Sequence, residues 1–140
     1  TAGKPILEVL SGNECSNCLC IVTRYFGGVL LGTGGLIRAY TSASKEALDD
    51  CLTGELVEGV HAYLDADYNY VGKIQHLCTQ YDITIVNTEY SDNVIFELMM
   101  EKQVRQRFEK ALTEMSSGRI GLRDIKEVKM YRDGRGILSL

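Results

Sequence analysis

Residues 83–100 read Ile-Thr-Ile-Val-Asn-Thr-Glu-Tyr-Ser-Asp-Asn-Val-Ile-Phe-Glu-Leu-Met-Met. Two apolar, β-branched runs, 83–90 and 94–100, flank the polar triplet Ser91-Asp92-Asn93, so the stretch reads as two strands joined by a tight turn. On its N-terminal side, 70–81 carry Val71, Ile74, Leu77, Cys78 and Tyr81 at helical spacing, with Asn69 as the expected N-cap. Before that, 61–68 alternates, with Val60, Ala62, Leu64 and Ala66 on one face. On the C-terminal side, 102–116 place Val104, Phe108, Ala111, Leu112 and Met115 on one helical face, and Ser116-Ser117-Gly118 stops that helix. A weaker, more charged strand follows at 125–131. The order is β-α-β-β-α-β, the ferredoxin-like split β-α-β, with both helices expected on one face of a four-stranded sheet. Tyr63, Tyr68, Tyr70, Tyr81 and Tyr90 either stack bases on the open face or pack half-buried, the commoner fate of such tyrosines.

The pattern changes near residue 59. Residues 52–58, with Thr53-Gly54, read as a linker, dividing the chain into 1–58 and 59–140. In the first part, 3–10 forms a short helix opening at Lys4-Pro5, since proline is tolerated in a first turn. Residues 18–26, with Leu19, Ile21, Val22, Tyr25 and Phe26, read as a strand, and 35–52 as a helix marked by Leu36, Tyr40, Ala43 and Ala47. The expected fold class is therefore α+β throughout.

Between that strand and helix lie Gly27, Gly28, Gly32, Gly34 and Gly35, flanked by Arg24, Tyr25 and Arg38. Glycine at this density marks backbone that takes positive φ or approaches another group closely. A glycine turn feeding a helix start also leaves N–H groups free to meet an anion. The loop is not a P-loop, and Ile37 stands where a dinucleotide fingerprint needs its third glycine. On chemistry alone, a connector whose glycines only pack is an equal reading. Arg24, Thr33 and Arg38 favour anion binding, because guanidinium forks suit phosphate.

The chain has 140 residues, 45% apolar and 24% charged, with a net charge of −4. These are ordinary globular values and argue against disorder. Residues 1–58 hold four Lys/Arg against seven Asp/Glu. Any nucleic-acid contact must therefore come from a local patch. The best linear candidate is 119–135, with Arg119, Arg123, Lys126, Lys129, Arg132 and Arg135; a solvated edge strand is the slightly stronger reading of that run. No apolar run reaches the roughly 18 residues of a membrane span. Five cysteines without a secretion signal suggest a reducing cytoplasm. Cys15-Ser-Asn-Cys18 has zinc-like or redox-like spacing, yet His61 and His76 are remote, so packing is favoured over a metal site or bound cofactor.

Thr-Ala-Gly-Lys-Pro at 1–5, Val-Thr-Arg-Tyr-Phe-Gly-Gly at 22–28 and Leu-Gly-Thr-Gly-Gly-Leu-Ile-Arg-Ala-Tyr at 31–40 together resemble the signature of the YigZ/IMPACT family. The resemblance implies that 1–58 is the C-terminal part of an IMPACT-type N-terminal domain, an α/β sandwich similar to a ribosomal-protein domain and truncated before Thr1. It implies that 59–140 is the ferredoxin-like C-terminal domain of bacterial members. It further implies a non-catalytic, translation-linked module engaging RNA, the ribosome or a translation factor. Lys4, Arg24, Tyr25, Gly27, Gly28, Gly32, Thr33, Gly34, Gly35 and Arg38 are then the candidate anion-binding residues. The alternative is a phosphate-handling or hydrolytic enzyme using the loop. Ser42, Ser44, His61 and His76 form no nucleophile–base pair in sequence, so no catalytic residue is assigned. If the first domain is truncated, its strand at 18–26 has an unpaired edge, and self-association is expected.

Overall fold

The structure, a computed structural model of the chain, describes residues 1–139, the last three of them as backbone. It divides into two compact units, Thr1–Leu52 and Thr53–Leu140.

The second unit is built on strand β1 (Glu55–Ala66). Helix α3 (Val71–Gln80), strands β2 (Thr84–Tyr90) and β3 (Val94–Glu101), helix α4 (Arg105–Ser116), and strands β4 (Leu122–Asp133) and β5 (Gly136–Ser139) follow. The five strands form one sheet in the order β2-β3-β1-β4-β5, and every pairing is antiparallel. The first four strands and two helices have the expected ferredoxin-like order. Alternation decides which face is buried, because successive side chains of a strand point to opposite sides. Val60, Ala62, Leu64 and Ala66 of β1 join Val94, Phe96, Leu98 and Met100 of β3 in one core. Ile74 and Cys78 of α3 and Phe108 and Leu112 of α4 close it from above.

Several elements differ from expectation: β4 opens at Leu122, three residues early, and the helix expected at 35–52 runs Gly32–Asp49. β1 opens at Glu55, so 55–58 pair with β4 instead of serving as linker. Asn69 caps nothing: a 3₁₀ turn at Tyr68–Tyr70 leads into α3, whose N-cap position is Tyr70, with no side-chain cap. Strand β5 was not expected at all. Its hairpin turns at Asp133-Gly134-Arg135-Gly136, where Asp133 Oδ1 accepts the Arg135 and Gly136 N–H groups at 2.7 and 3.0 Å. The expected stop of α4 is present: Ser117 is left-handed at φ 55, and Ser116 Oγ donates to Leu112 O and accepts the Ile120 N–H.

The helix-free face is not open along its whole length. At one end Met99 and Met130 are buried with Val57 and Val128 packed on them. A side chain at Gly136 would come within 4.0 Å of Thr84 Oγ1, although β5 and β2 are opposite edges of the sheet. The sheet therefore coils until its edges approach. Right-handed twist, together with register shifts at His61/Tyr63 and Ile85/Asn87, provides that curvature.

The first unit holds helices α1 (Gly3–Gly12) and α2 (Gly32–Asp49), which pack on each other. No strand forms at 18–26, contrary to the sequence reading. Leu19 is 85% exposed and Leu30 87%, with Ile21, Tyr25 and Phe26 also outward. A strand is stabilised by ladder partners and a face to bury, and this segment has neither among the described residues. Pro5 and Ser44 are the buried residues of the two helices, with Ser44 Oγ donating to Tyr40 O at 2.8 Å.

Gly59 lies beneath the Met130 thioether, where a Cβ would meet Met130 Cε at 1.8 Å and Met100 O at 3.0 Å. Gly59→Ala is expected to lower stability by about 1–3 kcal/mol through overpacking. The readout is a reduced urea midpoint at constant slope; an unchanged midpoint would mean that Met130 repacks freely.

Candidate functional site

The glycine loop runs into the first turn of α2. Two of its glycines take conformations that side chains disfavour: Gly28 at φ 80 and Gly32 at φ 68. At Gly35 a Cβ would meet Leu31 Cβ at 2.9 Å, whereas at Gly27 and Gly34 it would meet nothing within 4 Å. Packing therefore does not account for all five glycines. Conformation accounts for two, crowding for one, and the remaining two leave backbone open to solvent.

α2 starts without a side-chain cap, and its first turn, Gly32-Thr33-Gly34-Gly35, carries no acidic residue. The leading N–H groups of a helix lack intrahelical partners, and the macrodipole adds partial positive charge there. Arg24 folds over the Phe26 ring at 5.5 Å, and Tyr25 is 94% exposed. Arg38 is exposed on the following turn. Lys4 lies on α1, in an exposed ion pair with Glu8 at 3.9 Å.

Other sequence candidates are dispersed. Of the five tyrosines, Tyr63 alone lies on the helix-free face of the sheet. Tyr70 and Tyr81 pack against the helix-side core, Tyr81 edge-on to Phe108 at 6.1 Å. Tyr68 and Tyr90 pair with each other at 6.4 Å, and Tyr68 Oη donates to Ser91 O. In the basic run at 119–135, β5 pairs with Met130–Asp133 of β4, and among the described residues 122–129 keep a free edge, as the edge-strand reading expects. Three of the run's four arginines are paired: Arg123 with Asp65 and Asp124, Arg132 with Glu55 and Glu101, and Arg135 with Asp133. The Arg123 hydrogen bond holds the Asp65 carboxyl below its ordinary range.

No group of three or more metal-ligating side chains is present among the described residues. Cys18 and Cys51 are exposed thiols, and burial pushes Cys78 up to about 12, so its thiol keeps its proton near neutrality. His61 is not isolated, as the sequence had suggested. Its Nε2 lies 2.7 Å from Glu97 Oε1 on the neighbouring strand, and its ring meets Tyr63 edge-on at 5.2 Å. A His at one face position of β1 and a Glu on β3 is a pairing that only the strand register discloses.

Comparisons with known proteins cover both units. The family profile described as "Impact N-terminal domain" matches residues 1–48, and "Domain of unknown function (DUF1949)" matches 64–119. An IMPACT family member of Haemophilus influenzae is 38% identical over 86% of this chain and 58% of its own length. YvyE of Bacillus subtilis is 38% identical over 91% of the chain and 57% of its own length. YigZ of Escherichia coli is 33% identical over 91% and 62%. The chain thus spans about 57–62% of these relatives. A crystal structure titled as a hypothetical protein superposes with a TM-score of 0.55 at 33% identity, covering 87% of this chain and 59% of its own. Among the described residues, no helix is long and apolar enough to cross a membrane.

The two kinds of loop glycine respond oppositely to substitution. Gly34→Ala is expected to strengthen α2 by about 1 kcal/mol, and Gly32→Ala to weaken it by about 1–2 kcal/mol through its left-handed φ. Amide hydrogen exchange within α2 reads both; equal slowing in the two variants would contradict the assigned backbone.

Proposed function

The chain belongs to the IMPACT family, and we propose that it acts as a non-catalytic binding module engaging the phosphates of RNA, free or within the ribosome, in translation regulation. The observation that carries this reading is the uncapped, acid-free start of α2, approached by a glycine loop with Arg24 and Arg38 exposed on either side. Backbone N–H groups there suit phosphate oxygens, and guanidinium groups supply charge and forked hydrogen bonds. Gly27 and Gly34, open to solvent, let a ligand approach the backbone where a Cβ would stand in its way. Lys4 and Tyr25 are assigned outer roles, a screening charge and a stacking ring. The parts are read as the C-terminal portion of an IMPACT-type domain at 1–58 and a ferredoxin-like domain at 59–140, working in the cytoplasm, where free thiols such as Cys18 and Cys51 persist.

The enzyme alternative, a phosphate-handling or hydrolytic activity at the same loop, would use the same anion site but needs a nucleophile and base beside it. Ser44 is buried and bonded to Tyr40 O, and Ser42 bonds Glu46 at 3.0 Å on exposed helix. Neither is presented to the loop by a histidine.

If phosphates are held as proposed, affinity for oligouridylate should fall with salt by about 0.7 log units per log unit of salt for each contact. The Arg24→Ala/Arg38→Ala double substitution should flatten that slope by about one to two contacts. A slope unchanged by the double substitution would remove the site. Preference for a phosphorylated metabolite over the polymer would favour the enzyme alternative.

The exposed apolar segment around Leu19, Ile21 and Phe26 supports a second partner for this chain, another copy of itself. Light scattering is expected to give a mass that rises with concentration, and Ile21→Asp should suppress the rise. A monomer at all concentrations would refute self-association without touching the phosphate site.

A further inference from the structure

The coiled end of the sheet is filled by Met99 and Met130, but the other end of the helix-free face carries a depression of about 160 Å³. It crosses the sheet, with Asn87 and Glu89 from β2, Ile95 and Glu97 from β3, Tyr63 from β1 and Arg123 from β4. That is too small for a drug-sized ligand, whose sites run to roughly 300–1,000 Å³. It is large enough for one long side chain.

Its electrostatics are one-sided. Arg123 directs Nε and Nη2 to Asp65 at 2.5 and 3.1 Å and Nη1 to Asp124, so its charge is shared between two carboxylates. Arg132, farther along the same face, is likewise shared between Glu55 and Glu101. Each arginine is thus balanced by two carboxylates, although each keeps further N–H donors. Glu97 uses Oε1 on His61, and its Oε2 has no partner among the described residues. Glu89 is exposed and has no hydrogen-bond or ion-pair partner among the described residues. Lys126, the remaining cation of this face, stands opposite His61 on β4, on the far side from Glu89. Ile95 and Tyr63, whose ring lies under the Arg123 guanidinium at 5.4 Å, supply the apolar wall.

We propose that this face docks a basic polypeptide segment, with a lysine or arginine side chain laid across Tyr63 and Ile95 and its cationic head between Glu89 and Glu97. Long cationic side chains bury their methylene stems on apolar surface while the head stays with its counter-charges. The same charge pattern repels a polyanion, so RNA bound at the α2 loop and a basic segment on the sheet occupy different places. This inference does not rest on the phosphate reading, and either one can fail alone.

The test uses the full chain and a fluorescein-labelled oligolysine peptide, followed by anisotropy and by amide chemical-shift mapping. Saturable binding that weakens with salt is expected, with shifts centred on Tyr63, Asn87, Ile95 and Glu97. Glu89→Gln/Glu97→Gln should weaken it roughly three- to tenfold, the effect of losing two exposed ion pairs. Glu89→Gln alone, at an exposed position without partners, gives a smaller loss with folding intact. Glu114→Gln on α4 should leave binding unchanged. Absence of saturable binding, equal loss in Glu114→Gln, shifts confined elsewhere, or oligouridylate displacing the peptide from these residues would each overturn the proposal.

Discussion

Everything in the second unit depends on the burial of one side of β1. It is the central strand of the ferredoxin-like set, hydrogen-bonded to β3 on one edge and β4 on the other. Val60, Ala62 and Leu64 are 0–1% exposed, and the small residues between the larger ones let α3 and α4 sit close to the sheet. Shifting that strand by one residue would turn His61, Tyr63 and Asp65 into the core and the aliphatic set outward. Register is therefore fixed by the cost of burying polar groups, and the position of every residue on the helix-free face follows from it.

This constraint explains what could be read from the residues alone. Period-two alternation in 60–66, the apolar run at 94–100, and helical spacing in 70–81 and 102–116 are local signals, although the core these elements share joins residues from Val60 to Ile120. The elements that escaped notice are those whose signal is not periodic. β5 is short and follows an Asp-Gly turn whose Asx-type hydrogen bonds, from Arg135 and Gly136 to Asp133, make the hairpin. The start of β1 at Glu55 was hidden by Thr53-Gly54, which reads as a break, although Glu55 is held on the sheet by Arg132. The segment 18–26 shows the opposite failure. Its composition is that of a strand, but β-propensity describes fitness for a half-buried pleated surface, and no such surface is present among the described residues of its unit.

The site divides in the same way. Glycines near a helix start are visible in sequence, and which of them need positive φ is not. Gly28 and Gly32 do, while Gly27 and Gly34 look identical in sequence and stand in open space. The basic run at 119–135 illustrates how a linear count misleads. Six cations within seventeen residues suggest a polyanion surface. Strand pairing instead brings Asp65, Glu55 and Glu101 from distant parts of the chain onto the arginines. Exposed pairs of this kind add little stability. Their consequence is for recognition, because an arginine already shared between two carboxylates no longer advertises a positive charge.

Partner choice in a small domain can therefore be set by internal pairing without any change in net charge. Arg24 and Arg38 are exposed on either side, in sequence, of a helix start with no acid in its first turn, and neither has an ion-pair partner among the described residues. Arg123 and Arg132 are exposed but paired with carboxylates, and the face they occupy also carries Glu89 and Glu97. As proposed, the first arrangement takes phosphate and the second a cation. At a Debye length of about 8 Å under physiological salt, each surface is felt mainly by what is already touching it. The chain's overall charge of −4 says little about either. If both proposals hold, specificity resides in which charges are answered from within the fold and which are left for a partner.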